Sequence, residues 1–254
     1  MLLTPGDTVL AVVAGGVAGS FLNACAWRLP RGESLVKPRS RCVACGHPLG
    51  PRDLVPILSY LWLRGRCRYC GSRIPPRYLF VELAAVGATL SALHAAPDLL
   101  HAARTAVFLW FLILVTATDL ETGLIPGQAV WAALVLGLGT GATLPGGLLL
   151  GLYGALAGAG ILYAIILASR GGMGGGDAKM AAVMGFFLGW RGLLVALFVA
   201  FVAGGLLAAG LLLTGRKKRK DALPFAPFLA LGGAVAQFWG EPLLAWYLSL
   251  GGWR

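Results

Sequence analysis

The chain has 254 residues, 58% of them hydrophobic and only 12% charged, with 38 glycines and a formal net charge of +11. That profile lies far from a soluble domain and marks an integral membrane protein. It also makes a nucleic-acid role for the excess cations unnecessary, because bilayer orientation accounts for them.

A helix needs roughly 20 apolar residues to cross the hydrocarbon core. Runs free of Asp, Glu, Lys and Arg cover 8–27, 105–118, 122–169, 192–215 and 222–240. The 48-residue run at 122–169 must be two spans, with "TLPGG" at 143–147 as the turn. Adding 78–97, which contains Glu82 and His94, and the short segment 178–190 gives eight helices. The fold expected is therefore an all-α polytopic membrane protein of about eight transmembrane helices with a small cytoplasmic loop domain. In residue terms this is a first helix at 1–28, a four-cysteine loop at 29–77 and a seven-helix membrane domain at 78–254. No internal repeat is evident. "MLLTPGD" lacks a basic n-region, and no small-residue cleavage site precedes Arg28, so the first helix does not read as a cleaved signal peptide.

Loop cations set the orientation. Residues 28–77 hold 11 of the 21 Lys and Arg, Arg170 and Lys179 flank a glycine run, and "RKKRK" at 216–220 adds five. With eight alternating helices these 18 charges share one side, and only Arg104, Arg191 and Arg254 lie on the other. The positive-inside rule then puts 29–77 in the cytoplasm and both termini on the opposite side.

In that loop "CVAC" (42–45) and "CRYC" (67–70) are separated by 21 residues. Two such knuckles supply four thiolates, Cys42, Cys45, Cys67 and Cys70, and a glycine after each second cysteine lets the backbone turn back; the spacing points to a tetrahedral Zn²⁺ site. A loop this poor in large apolar side chains folds more readily around a metal. The alternatives are two disulfides, disfavoured by a reducing cytoplasm, or a metal-free relic of such a site. His47 is a possible substitute ligand, although four thiols already complete the shell. Cys25, alone in the first span, reads as a packing residue.

Ionisable groups in a membrane segment each need a reason. The topology brings Asp119, in "TATDLETGLIPG", and Asp177, in "GGMGGGDAKM", to the same face at similar depth. Two carboxyls held close in a partly dry site share one proton and titrate as a unit. Such a pair can activate a water against a peptide carbonyl while hydrogen-bonding the carbonyl oxygen. Spacing alone leaves a second reading open, in which Asp177 caps the helix it begins. The glycine run matches neither phosphate-loop pattern. Glu121, two residues from Asp119, reads as a solvated end residue or a modest modulator of the pair. Lys179 either supports the ionised acid or anchors its helix at the headgroups. A proton-coupled transporter would also bury carboxylates, but nearer midspan and with repeated segments.

"GSFLNACAWRLPRGESLVKPRSRCVACGHPL", "PILSYLWLRGRCRYCGSRIPPRYLFVE", "ATDLETGLIP", "GGMGGGDAKM" and "LPFAPFLALG", in that order, closely resemble the type IV prepilin peptidases. The resemblance implies an intramembrane aspartic protease of the GxGD type, with Asp119 and Asp177 as catalytic dyad and Gly174 and Gly176 as the signature glycines. It implies prepilin or pseudopilin substrates in the bacterial inner membrane. The family's long form, which carries the four-cysteine loop, also methylates the new amino terminus from S-adenosylmethionine; a peptidase without methyl transfer is the narrower alternative. Glu82, in "RYLFVE", is the candidate for that second site, the other reading being an acid paired with a nearby Arg. The chain departs from the family pattern at Gly127, where Asp or Asn is common, at Ala226, where Gly is usual, and at Thr118, where an apolar residue is frequent. Gly127 and Ala226 are expected to stay clear of the proposed catalytic groups. The sequence leaves the oligomeric state open.

Overall fold

The computed structural model describes residues 4–37, 39–144, 146–169, 173–216 and 223–250. Arg170, the start of the glycine run, most of "RKKRK", the proline of "TLPGG" and Arg254 lie outside the described residues. Among those described the chain is helical without strands, and five helices are long and apolar enough to cross a membrane. This is the all-α membrane architecture that the composition demanded. By contact density the chain divides into two units, at Thr118 and Asp119.

The first unit begins with α1 (Pro5–Arg28), whose start is fixed by a reciprocal cap: the Asp7 N–H donates to Thr4 Oγ1 and the Thr4 N–H to Asp7 Oδ2. Among the described residues the loop that follows holds two 3₁₀ turns, Leu29–Arg31 and Pro51–Asp53, and one short α-helix, α2 (Leu58–Trp62), which periodicity had not suggested. Then come α3 (Arg77–Ala95) and most of α4 (Leu99–Thr122). α1 and α3 approach closely because α1 offers glycines: a Cβ at Gly19 would lie 2.6 Å from the Cα of Glu82. Such small-residue seams are how membrane helices gain packing without a hydrophobic drive. Polar side chains reinforce the unit, with Asn23 Nδ2 donating to the Tyr78 carbonyl at 2.9 Å and Trp110 Nε1 to Thr89 Oγ1 at 3.2 Å.

The second unit takes the end of α4, then α5 (Gly127–Gly139), α6 (Gly147–Ala168), α7 (Gly175–Leu213) and α8 (Ala226–Leu250). α7 is 39 residues long but is broken at Gly189, which sits at φ 69°, ψ 172°, backbone essentially closed to any residue with a Cβ. α6 runs antiparallel to the first half, Gly154 meeting Gly185 and Gly158 meeting Ala181. α8 runs antiparallel to the second, with Gly232 against Ala196 and the Phe225 and Phe228 rings against Gly204. The break is thus the boundary that the sequence placed between the segments 178–190 and 192–215. Of the expected eight spans, five helices among the described residues have the length and hydropathy to cross a membrane, and α5, at 13 residues, is a shorter apolar helix.

Candidate active site and metal centre

In the second unit Asp119 lies in the last turn of α4. The helix ends just beyond it, where Gly123 adopts φ 65° and its N–H returns to the Asp119 carbonyl at 2.9 Å. Asp177 lies in the first turn of α7. The N-cap is Gly174, whose carbonyl accepts the Asp177 N–H at 3.1 Å, so Asp177 occupies the third helical position and is not itself the cap. Both aspartates are 8% exposed. The two helix ends lie together, the start of α7 packing on the segment that follows Asp119.

Helix ends surround the pair. Asp119 Oδ2 accepts the backbone N–H of Ala226 at 3.2 Å, one of the donors that the start of α8 leaves without an intrahelical partner. Asp177 sits at the corresponding end of α7, where the helix dipole also favours negative charge. Gly176 matters for shape: a Cβ there would crowd Ile125, at 3.1 Å from its Cβ, so glycine lets the segment after Asp119 lie against the start of α7. Lys179 is exposed while its neighbour two residues earlier is buried, and Glu121 is exposed beyond Asp119.

The expectation that Ala226 stays clear of the acids is therefore corrected. Its side chain identity is not what touches Asp119; its main-chain N–H is. The available signal was positional, since a helix opening after Pro224 must present free N–H groups.

In the first unit the two knuckles fold alike. The Cys42 N–H donates to the His47 carbonyl at 2.9 Å and the Cys67 N–H to the Ser72 carbonyl at 2.8 Å. Gly46 and Gly71 take φ near 70°, the turn that glycine after each second cysteine allows. All five cysteines are free thiols, and Cys25 is buried in α1 away from any disulfide. The four loop sulfurs lie within 4.8 Å of one another, with Cys42 Sγ and Cys70 Sγ 3.9 Å apart. A tetrahedral ion with Zn–S bonds of about 2.3 Å needs sulfur–sulfur edges of roughly 3.8 Å, so the donor set fits a metal ion.

Burial works to push the Cys42 thiol up, but the N–H groups of Cys45 and Ala44 and the neighbouring thiols outweigh it and bring it to about 6. At Cys45 the His47 N–H pulls down, and burial with the Cys42 and Cys70 thiols prevails, lifting it to about 11. Four thiols so close cannot all ionise unaided; a bound cation removes that conflict. His47 is not among the ligands and stacks on Tyr69, ring centroids 3.7 Å apart. Asp53 joins the knuckles, accepting from Gly50 N–H at 3.1 Å, Arg68 Nε at 2.7 Å and Tyr69 OH at 3.0 Å. Nothing in the cysteine pattern announced it.

Glu82, also in the first unit, is buried on α3, and its Oε2 accepts the Ile57 N–H at 2.6 Å. The structure gives it a backbone partner rather than an arginine.

These features define a multi-pass helical membrane protein with two buried aspartates at helix ends and a cluster of four thiols that could hold a metal ion. Residues 13–95 match the bacterial peptidase A24 N-terminal domain, and residues 106–209 the type IV leader peptidase family. The prepilin leader peptidase/N-methyltransferase of Bacillus subtilis is 35% identical over 244 residues, 94% of this chain and 96% of the relative. That of Burkholderia pseudomallei (strain 1026b) is 38% identical over 289 residues, 99% of this chain and 90% of the relative. That of Aeromonas hydrophila is 35% identical over 227 residues, 85% and 77% respectively. The chain belongs to the type IV leader peptidase family. No solved structure matches it.

Proposed function

We propose that this protein removes the basic leader of type IV prepilins or pseudopilins by aspartic-protease chemistry and then methylates the new amino terminus with S-adenosylmethionine. The observation that carries the first half is the pair of buried carboxyls, Asp119 and Asp177, at helix ends that pack together, with the start of α7 against Ile125. In this reading the pair holds one proton. The ionised carboxylate takes a proton from water as the water oxygen bonds to the scissile carbonyl carbon, and the protonated carboxyl hydrogen-bonds the carbonyl oxygen. Collapse breaks the C–N bond, with the proton gained from water passing to the leaving amine. The Ala226 N–H and the start of α7 steady the charge that remains. Gly174 and Gly176 shape the approach, and Lys179 anchors α7 at the headgroups.

The chain crosses the bacterial inner membrane eight times in this account, with residues 29–77 in the cytoplasm, the acids at cytoplasmic helix ends, and both termini opposite. Loop charge supports that orientation. A prepilin's scissile bond lies at the same interface. Cys42, Cys45, Cys67 and Cys70 would hold a Zn²⁺ that supplies structural stability to the 29–77 module. We assign that module to methyl transfer, the half of the chemistry that the long form of the family adds. S-adenosylmethionine supplies the methyl group, and Glu82, the residue that the sequence singles out for this second activity, lies in the same unit as the module.

Incubating purified protein with a model prepilin and reading intact mass tests both halves. Leader loss is expected without any additive, and a further gain of about one CH₂ with S-adenosylmethionine. An uncleaved substrate refutes the peptidase reading, and cleavage without mass gain refutes the methyl-transfer half.

A further inference from the structure

The partner of Glu82 is unusual in itself. Ile57 has φ 64° and ψ −54°, a region that β-branched residues avoid. Across it the Leu58 N–H closes onto the Pro56 carbonyl at 2.6 Å. Pro56, Ile57 and Leu58 therefore form a γ-turn of the rare positive-φ kind, which is strained. It persists only if the surroundings over-determine it.

Two contacts do so, one from each helix of the α1–α3 pair. Pro56 lies over α1, where a Cβ at Gly16 would come within 3.1 Å of the Pro56 Cβ. From α3, Glu82 Oε2 takes the Ile57 N–H at 2.6 Å, a bond spanning 25 residues of sequence. The turn in turn opens α2, after which the chain enters the second cysteine knuckle. The carboxyl is thus already committed: it is 9% exposed, its backbone abuts Gly19, and among the described residues its polar partner is this one N–H. An N–H that the turn withholds from any helix needs an acceptor, and the carboxyl oxygen supplies it.

We propose that Glu82 is a positioning residue: it seats the four-cysteine loop on the α1–α3 pair by holding the strained turn at Ile57, and it serves methyl transfer through that seating rather than by attracting the donor's sulfonium. The second clause rests on the methyl-transfer reading above; the first does not.

The conservative variant separates the two roles. Glu82→Gln keeps an oxygen that can accept the Ile57 N–H and loses the charge, whereas Glu82→Ala loses both. Full-length protein in nanodiscs is read by amide hydrogen exchange over residues 56–62 and by methyl-transfer kinetics at varied S-adenosylmethionine, with leader cleavage checking that each variant is folded. For Glu82→Ala the seating role predicts exchange at least about tenfold faster, the loss of one such bond. It also predicts a fall in methyl-transfer kcat of similar size, with KM for S-adenosylmethionine changed by less than about threefold. Glu82→Gln should stay within about threefold of wild type in all three readings. Exchange in Glu82→Ala that matches wild type overturns the seating. A Glu82→Gln protein with wild-type exchange but a KM raised as far as in Glu82→Ala overturns the second clause in favour of charge recognition. A wild type that cleaves but never methylates refutes that clause with the functional reading beneath it, and exchange alone then decides the seating.

Discussion

Gly189→Ala is the change on which the geometry of the aspartate site bears most heavily. Were α7 continuous, Asp177 and Gly204 would be 27 residues and roughly 40 Å apart. Phe225 packs on Gly204, and its neighbour Ala226 donates to Asp119, so Asp119 would sit tens of ångströms from Asp177. Yet the start of α7 lies against the segment just after Asp119, since a Cβ at Gly176 would come 3.1 Å from the Cβ of Ile125. The chain must double back at Gly189, and its φ 69°, ψ 172° is the hinge that allows this. A Cβ in that region costs on the order of 1–3 kcal/mol, which for a chain of this length lowers Tm by roughly 3–10 °C. The assay is thermal unfolding in detergent beside Gly160→Ala, a helical glycine with nothing within 4 Å, where alanine should be neutral or stabilising by about 0.5–1 kcal/mol. If Gly189→Ala melts with or above wild type, the hinge argument is wrong.

Other expectations are as specific. Replacing Cys42 and Cys70 by serine should drop bound zinc, measured by elemental analysis, from about one ion per chain to near none, as expected of a four-thiolate site; unchanged content would exclude those ligands. Asp53→Asn should keep the Gly50 and Tyr69 contacts but lose the charge on Arg68, so a chelator should strip the metal several-fold faster, an effect discounted because the Arg68 side chain is 47% exposed. Arg68 holds the Asp53 carboxyl below the usual range, with burial opposing and the Gly50 and Tyr69 donors adding to it. A depressed folded-state value means that the tie is fully present above the unfolded value of about 3.9 and fades only as pH falls below it. The stripping difference between wild type and Asp53→Asn should therefore be constant from pH 6 to 8 (about neutral); a difference that vanishes in that window contradicts the assignment. Ala226→Pro removes the N–H given to Asp119 at a helix position where proline is tolerated, and should slow leader cleavage about 10- to 100-fold, the worth of a hydrogen bond to a charged group. Cleavage at the wild-type rate would show that this N–H does not act in the reaction.

Much of this was legible because it depends on residue type. Apolar runs must be helices in a bilayer, paired knuckles must bring thiols together, and a charged loop must choose a side. Even the break in α7 left a trace, since "GFFLGWRG" places Arg191 and three glycines where a single span would have continued. What stayed hidden depends on backbone geometry instead. The Ala226 N–H would be there with almost any residue at 226, so the sequence motif around it pointed to the place without disclosing the bond. The Ile57 turn is opaque for the opposite reason: isoleucine is a poor residue for positive φ, and only the packing of Pro56 and the acceptor on α3 explain it. α2 escaped notice because five residues are too few to show a period.

The central claim is that Asp119 and Asp177 act as one catalytic unit, and the direct measurement is leader-cleavage rate for Asp119→Asn, Asp177→Asn and the double variant, each confirmed folded by its melting curve. The account predicts that each single change abolishes measurable cleavage and that the double variant is no worse than either, as for groups that work together. A single variant that cleaves at the wild-type rate would contradict it.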